Sequence, residues 1–195
     1  MSGASGAVYG HRLVEVLAAE GHELHLVVSR HAVGILRDET GVDWTAPDSH
    51  GMAAKVTSSL PQGAYVLVHD NRNLGAPVAS GSFGVDATFV VPCSMKTLAG
   101  IASGYAETLI QRAADVALKE GRPLILCPRE TPLSAIHLEN MLKLARLGVR
   151  IVPPMPAFYN RPEGMADQVD FIVGKLLDSA GIGHTLYRRW TGGEG

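Results

Sequence analysis

This sequence has little cysteine, no long apolar run and no large excess of either charge. Its two cysteines, Cys93 and Cys127, are too few for a disulfide framework and too far apart for a CxxC site. No apolar run approaches the roughly 20 residues that a membrane span needs, and a net charge of -2 does not favour binding of nucleic acid. Both cysteines fall in apolar, strand-like runs, so we interpret them as buried, reduced thiols of a cytoplasmic protein.

Other signals are missing as well. The N-terminus lacks a charged region followed by an apolar one, so we expect no secretory signal. The eight histidines form no HxH, HExxH or His/Cys cluster, so we expect no metal site. Repeats, linkers and low-complexity segments are also lacking, and 195 residues with 46% hydrophobic content fit one domain with a substantial core. We therefore expect residues 1–195 to form a single domain.

Short β-rich runs alternate with helical stretches along the chain. Near-continuous apolar runs, such as those at 87–91 and 123–127, are typical of strands that are covered on both faces. The predicted strands are 23–28, 64–68, 87–91, 123–127 and 149–152, and the clearest helical spacings are at 9–20, 135–147 and 165–177. This alternation predicts an α/β fold in which a parallel sheet carries helices on both faces.

Polar side chains directly follow three of the predicted strands. They are Ser29, Ser94 and Arg129. Because ligands of such sheets bind at the carboxyl ends of the strands, we expect these three side chains to share one binding site.

The N-terminal segment from Gly3 to Gly6 resembles a loop that binds phosphate between a strand and a helix. A simple turn of small residues explains it equally well, and it matches neither GxGxxG nor the GxSxG elbow of hydrolases. Only two residues precede the loop, whereas a strand should lie there. Either translation starts further upstream, or residues are missing from this sequence, or the sheet lacks the strand. Because losing a central strand would be costly, we favour the first two explanations.

The remaining polar clusters each permit a structural and a functional interpretation. Ser94 to Thr97 offers two hydroxyls, a lysine and backbone N–H groups that suit a phosphate, but Ser94 also suits a helix N-cap. Arg129 offers a planar donor fork for phosphate, or belongs to an ion pair with no function beyond structure. Arg112 and Lys119 lie at helical spacings from Asp115, so both could form surface pairs.

Five segments together resemble the UbiX-type flavin prenyltransferases. They are residues 92–101 (PCSMKTLAGI), 112–120 (RAADVALKE), 129–133 (RETPL), 137–142 (HLENML) and 156–159 (PAFY). The resemblance spans the chain from Gly3 to Trp190 and implies a flavodoxin-like or Rossmann-like homo-oligomer, usually a dodecamer, with FMN at subunit boundaries. It further implies that a dimethylallyl group is joined from dimethylallyl phosphate to N5 and C6 of reduced FMN, without a metal. The prenylated FMN product would serve a UbiD-type decarboxylase, here of the hydroxyarylic or phenolic acid type.

The resemblance also implies roles for individual residues. The FMN-binding positions are Gly3, Ala4, Ser5, Ser29, Ser94, Met95, Lys96, Thr97 and Arg129. The positions around the prenyl phosphate are Arg112, Lys119, Arg129, Tyr159 and Lys175, and Trp190 matches a tryptophan near the family's C-terminus. The catalytic positions are Ser5, Glu39, Glu130 and Lys119.

Three other functions compete with this interpretation. A flavin-dependent cysteine-type decarboxylase would carry Pro-Ala-Ser-Ala-Asn-Thr where this chain has residues 92–97, and His31 lacks the motif of its catalytic histidine. A direct decarboxylase of aromatic acids would release CO2 without another protein. A non-catalytic FMN-binding subunit of a hydroxyarylic acid decarboxylase would not need the second set of phosphate-binding cations.

Overall fold

The computed structural model describes residues 1–190, and these form α-helices and parallel β-strands. The helices are α1 Ala7–Ala19, α2 Arg30–Thr40, α3 Ser49–Ser58, α4 Met95–Ser103, α5 Leu109–Lys119, α6 Ala135–Arg146 and α7 Met165–Ala180, with a 3-10 turn at Pro77–Ala79. The strands are β1 Glu23–Val27, β2 Tyr65–His69, β3 Thr88–Cys93, β4 Leu124–Pro128 and β5 Arg150–Ile151. Each predicted strand is present, and no strand end differs from the prediction by more than two residues. The spacing analysis does not identify α2 and α3, which are short helices of 11 and 10 residues.

The strands pair in parallel, and β4 is the centre of the larger sheet. β3 and β5 flank β4, while β1 pairs with β2 in a separate sheet. The prediction of an α/β fold with parallel strands is therefore confirmed. The strands differ from expectation in forming two sheets rather than one.

Alternate residues of β4 point to opposite faces of its sheet and so define two helical layers. Ile125 and Cys127 pack with α1 and α7 in one apolar cluster. Leu124 and Leu126 pack with α4 and α5 in another. Since side chains alternate along a strand, α7 and α5 lie on opposite faces, as predicted for a sheet covered on both sides.

The break between the sheets falls between β1 and β3, where only Met1 and Ser2 are found. The amino group of Met1 donates to the carbonyl of Val27 at 2.7 Å, and the N–H of Ser29 donates to the carbonyl of Met1 at 3.0 Å. On the other side, the N–H of Ser2 donates to the carbonyl of Pro92 at 3.1 Å. Within residues 1–190 no strand precedes α1, so β1 and β3 are joined by these two residues alone.

The two cysteines are buried, as predicted. Cys93 belongs to β3 and Cys127 to β4, and their side chains pack in the apolar clusters on opposite faces of the sheet. Burial raises the pKa of both thiols, that of Cys127 to about 12. Neither thiol is therefore a nucleophile at neutral pH. None of the helices in residues 1–190 has the length and apolarity to cross a membrane.

Candidate active site

The carboxyl ends of the strands bring the predicted polar residues to one edge of the fold. Ser29 follows β1 and caps α2 by accepting from the N–H of Ala32 at 3.2 Å. Ser94 follows β3 and caps α4 by accepting from the N–H of Thr97 at 3.3 Å. Ser94 thus adopts the N-cap role that the sequence left as an alternative, and Ser29 caps its helix in the same way. Both caps lie at the carboxyl ends of their strands, where ligands of such folds bind.

Three hydroxyl groups cluster at the start of α4. The Ser94 hydroxyl donates to Thr97 Oγ1 at 3.1 Å and lies 3.5 Å from Ser2 Oγ, which accepts from the Ser94 N–H at 2.8 Å. Ser2 is 2% exposed and holds the start of α4 through its bond to the Ser94 N–H, whereas Ser94 and Thr97 are only half-buried. Met95 and Lys96 form the first turn of α4, with Lys96 exposed. Sequence reasoning missed Ser2, whose role depends on a contact 92 residues away along the chain.

The glycine loop leads into α1, and a carboxylate from the same chain lies at the N-terminus of this helix. Gly6 has a φ of 94°, which permits the tight entry into the helix. Glu39 reaches from α2 and accepts from the N–H of Gly6 and of Ala7, each at 2.9 Å. The N–H groups of Gly6 and Ala7 at the start of α1 therefore bind a carboxylate of the same chain, which the positive end of the helix dipole favours. The same contact places Glu39 beside exposed Ser5.

Arg129 joins the loop after β4 to the N-terminal loop. Its Nε donates to the carbonyl of Ser5 at 3.1 Å. Within residues 1–190 its two terminal nitrogens have no hydrogen-bond or ion-pair partner, so the ion pair that the sequence allowed is not formed. Glu130 follows it and accepts from the N–H of Thr131 at 3.0 Å, leaving the carboxylate exposed. Ser5, Glu39 and Arg129 thus belong to one constellation, with Glu130 next to it in the chain.

Tyr9 also contacts this constellation, although the sequence analysis did not select it. A Cβ on Gly6 would lie 3.1 Å from the Tyr9 ring, so the ring covers the glycine loop. Partial burial, and then the nearby Cys127 and Glu39, raise the pKa of its phenol. An aromatic residue in the first turn after a glycine loop is the signal that could have identified it.

A second cluster of aromatic residues lies beside α7. Tyr159 packs edge-on against Phe171, with ring centroids 5.9 Å apart, and against Trp190 at 6.2 Å. Gln168 holds the preceding segment by bonding both the N–H and the carbonyl of Ala157 at 3.1 and 2.9 Å. Tyr159 and Trp190 are 56% and 68% exposed, so much of each ring faces outward.

Asp178 ties the C-terminal segment to α7. Its carboxylate accepts from the Tyr187 hydroxyl at 2.5 Å and from Arg189 at 2.7 Å, and lies 3.1 Å from His184 Nε2. Although partial burial opposes it, the hydrogen bonds from Arg189 and Tyr187 lower the pKa of Asp178 to about 2. Lys175 Nζ lies 3.9 Å from the same carboxylate and is 47% exposed. The network therefore holds the C-terminal segment, which carries Trp190, against the part of α7 that contains Lys175.

The cations of α5 lie elsewhere in the single chain. Arg112 pairs with Asp115 at 2.7 Å and donates to the carbonyl of Ala79 at 3.1 Å. Lys119 pairs with Glu120, not with Asp115. Because α5 and α7 cover opposite faces, one chain does not bring Arg112 and Lys119 to Tyr159 and Lys175. The sequence could not show this, because helical spacing carries no information about which face a helix covers.

Comparison with known proteins places this geometry in a family. The flavoprotein family model matches residues 1–180. A probable UbiX-like flavin prenyltransferase from Streptomyces sp. (strain D7) is 50% identical over 193 residues, covering 98% of this chain and 90% of that protein.

Two crystal structures agree with this relationship. A dodecameric FMN-dependent UbiX-like decarboxylase from Escherichia coli O157:H7 is 46% identical with a TM-score of 0.86, over 98% of this chain and 100% of that chain. AnUbiX (PadA1), in complex with FMN and dimethylallyl pyrophosphate, is 43% identical with a TM-score of 0.87, over 100% of this chain and 96% of that chain. With these identities along its whole length, the chain belongs to the UbiX-type flavin prenyltransferases within the flavoprotein family.

Proposed function

We propose that this chain, acting as one domain over residues 1–195, is a flavin prenyltransferase. It joins the dimethylallyl group of dimethylallyl phosphate to N5 and C6 of reduced FMN. The observation that carries the proposal is the whole-chain match to a UbiX structure in complex with FMN and dimethylallyl pyrophosphate. The fold alone would be weak support, because such folds host many reactions. The constellation at the strand edge adds the support of particular side chains.

The donors at the strand edge fit FMN. Ser94 and Thr97 present hydroxyls at the start of α4, and the bond from Arg129 to the Ser5 carbonyl uses Nε and not the two terminal nitrogens. Hydroxyls and a guanidinium are suitable donors for a phosphate or a flavin carbonyl. A Cβ on Gly3 would lie 2.8 Å from His31 Cβ, so only glycine fits at this bend of the loop. The remaining proposed FMN-binding positions are Ala4, Ser29, Met95 and Lys96.

The residues beside α7 fit the prenyl donor. When bound, reduced FMN supplies the electron-rich atoms that accept the dimethylallyl group. Breaking the allylic C–O bond builds negative charge on the phosphate, which Lys175 and the Tyr159 hydroxyl stabilise. The same step builds positive charge on the prenyl carbon, which the exposed ring face of Trp190 can stabilise.

The cations of α5 complete the phosphate site from a second copy of the chain. Arg112 and Lys119 lie on the face opposite α7, yet both side chains reach solvent, at 36% and 46% exposure. A neighbouring subunit could therefore present them to Tyr159 and Lys175. In this proposal the active site lies between subunits.

Carboxylates handle the protons of the reaction. Bond formation at N5 and at C6 each releases one proton, while the remaining alkene carbon and the departing phosphate each take one up. Glu39, held beside Ser5 by the N–H groups of Gly6 and Ala7, is the proposed acceptor of the C6 proton. Ser5 is proposed to relay this proton. Glu130 is the proposed donor to the departing phosphate, and Lys119 supports it by neutralising phosphate charge.

An exposed apolar face on α6 supports assembly into a homo-oligomer, proposed here to be a dodecamer. Of the twelve residues of α6, only Leu144 is fully buried. Ile136, Leu138, Leu142 and the following Leu147 are 51–68% exposed. Contiguous exposed apolar side chains of this kind mark protein interfaces. We further propose a cytoplasmic location and delivery of the product to a UbiD-type decarboxylase.

The test is anaerobic incubation of the protein with dithionite-reduced FMN and dimethylallyl phosphate, followed by mass spectrometry of the released flavin. A flavin heavier by one dimethylallyl unit is the expected product. Unmodified FMN released from folded, flavin-bound protein would overturn the proposal and favour a non-catalytic FMN-binding subunit. Release of CO2 from an aromatic acid or a cysteine substrate by the purified protein would instead favour a decarboxylase.

A further inference from the structure

Residues 79–83, which we call the 79–83 loop, lie between the 3-10 turn and β3 and are held by Arg122. The two terminal nitrogens of Arg122 donate to the carbonyls of Phe83 and Gly81, each at 2.7 Å. A guanidinium is a planar fork of donors, so two such bonds hold the 79–83 loop in one orientation. Arg122 lies just after α5, and its own N–H donates to the carbonyl of Ala117 at 2.8 Å, which anchors it to the end of that helix.

The side chain of Arg122 is committed to these carbonyls. It is half-buried, and within residues 1–190 it forms no ion pair with a carboxylate. Both of its terminal nitrogens are bound to the backbone, so neither is available to a phosphate. Holding the 79–83 loop is therefore the role that its contacts support.

The 79–83 loop also contacts both α5 cations that are proposed to bind the prenyl phosphate. Arg112 donates to the carbonyl of Ala79 through Nε at 3.1 Å and to Asp115 through Nη1 at 2.7 Å, and these two bonds set the plane of its guanidinium. A Cβ on Gly81 would lie 2.5 Å from Lys119 Nζ, so the lysine lies directly against the backbone of the loop. A shift of the loop would therefore change the positions of both cations.

A second set of contacts joins the 79–83 loop to β1 and β2. The ring of Phe83 meets the ring of His25 edge-on, with centroids 5.0 Å apart. His25 is in turn bound to His69, with Nδ1 of the first and Nε2 of the second 2.9 Å apart. Because these contacts do not involve Arg122, they should keep this part of the chain folded when Arg122 is replaced.

We propose that Arg122 is a positioning residue for the phosphate group of the prenyl donor. It fixes the 79–83 loop, and the loop holds Arg112 and Lys119 where they meet a phosphate monoester. Arg122 itself does not touch the phosphate. The inference rests on the proposed function for the identity of the ligand, whereas the contacts that lead from Arg122 through the loop to the two cations lie within one chain.

The test replaces Arg122 by Ala and by Lys in the assembled protein, with Arg72→Ala as the matched control. Lys keeps the charge but lacks the fork that bonds two carbonyls. The Arg72 side chain is 89% exposed and pairs with Asp70, so its loss removes an equal charge without touching the 79–83 loop.

Both Arg122 variants should raise the KM for dimethylallyl phosphate by about fivefold or more and change kcat by less than about twofold, as loss of ground-state binding does. The Kd for inorganic phosphate should rise with KM, and the Kd for FMN should stay unchanged. The amides of Ser80 and Phe83, which donate to Pro77 and Ser80 at 3.0 and 3.2 Å, should exchange roughly tenfold faster. Arg72→Ala should change none of these values.

Three outcomes would overturn the proposal. A fall in kcat at unchanged KM would show only that less of the protein is folded. Unchanged exchange at Ser80 and Phe83 would show that Arg122 does not hold the 79–83 loop. Equal rises in the Kd for FMN and for inorganic phosphate would show a general disturbance of the site.

Failure of the proposed function gives a different result. In that case the unmodified protein makes no prenylated FMN, and the Kd for inorganic phosphate decides the role of Arg122. A higher Kd in both Arg122 variants, with faster exchange in the 79–83 loop, supports positioning of a phosphate site. An unchanged Kd overturns it.

Discussion

Replacing Asp178 by Asn should loosen the C-terminal segment without unfolding the protein. The carboxylate of Asp178 accepts from Tyr187 and Arg189 and lies beside His184. Asn keeps the size and one acceptor oxygen but removes the negative charge. The change therefore isolates the electrostatic part of a network that holds Trp190 against Tyr159.

The size of the effect follows from the proton affinity of this carboxyl. Folding lowers the pKa of Asp178 from 3.8 to about 2, and a tenfold change in a binding constant corresponds to about 1.4 kcal/mol. The upper limit for the charged network is therefore about 2.5 kcal/mol. Solvent screens a partly exposed site, so we expect a loss of about 1 kcal/mol in the free energy of unfolding at pH 7. For a chain of this size that corresponds to a decrease in Tm of about 2–4 °C.

The direction of the pKa shift determines how the stabilisation by Asp178 changes with pH. Because the folded pKa lies below the unfolded value, the stabilisation is complete above pH 4 and disappears as the pH falls towards 2. Urea unfolding of both proteins at pH 7 and at successively lower pH should show a difference that shrinks through this window. Tyr187→Phe is the matched control. It removes one hydrogen bond, and since the pKa of Tyr187 is raised to about 12, its own ionisation does not contribute in this range.

An equal loss at pH 7 and at pH 2.5 would refute the electrostatic reasoning, and so would no loss at pH 7. Binding and kinetic constants distinguish an effect on the placement of the Tyr159–Trp190 pair from a general loss of protein stability. Asp178→Asn should raise the KM for dimethylallyl phosphate severalfold and leave the Kd for FMN unchanged, because FMN is assigned to the other cluster. Equal effects on both constants would show that Asp178 does not act through the Tyr159–Trp190 pair.

Four further predictions concern the site and the core. Glu39→Gln and Glu130→Gln should each slow prenyl transfer by about 100-fold or more, measured by single-turnover mass spectrometry, with FMN still bound. Arg129→Met should raise the Kd for FMN at least about tenfold in fluorescence titration, because a charged hydrogen bond contributes about 1.5–3 kcal/mol. Trp190→Ala should slow transfer more than it weakens FMN binding. Cys127 should resist thiol reagents at pH 8 in the folded protein and react once urea unfolds it, since burial raises its pKa to about 12.

Each of these predictions has a result that contradicts it. Unchanged turnover in either glutamine variant removes that carboxylate from the proton path. FMN affinity that survives loss of Arg129 assigns the phosphate to other donors. Equal loss of binding and transfer in Trp190→Ala denies the ring a role in the chemistry. Rapid labelling of Cys127 in the folded state would show that the layer over β4 opens readily.

The strands and the strand-edge serines could be predicted from the sequence because their signals are local. The apolar runs at 87–91 and 123–127 need burial on both faces, and this requirement is met only in a sheet covered by helices. Ser29 and Ser94 follow strands and precede helices, so the same residues serve as caps and as candidate ligands. The order of the five sequence motifs also identified the resemblance to the flavin prenyltransferase family.

Contacts between distant segments were decided only by the tertiary structure. Glu39 looks like any exposed residue of a helix, yet it binds the start of α1 33 residues away. Asp178 gathers residues from the C-terminal segment, and no periodic pattern marks them. The faces taken by α5 and α7 depend on how the chain crosses the sheet. The gap between β1 and β3 likewise appears only when the strands are paired, because a strand's neighbours are chosen by long-range hydrogen bonds and not by its own residues.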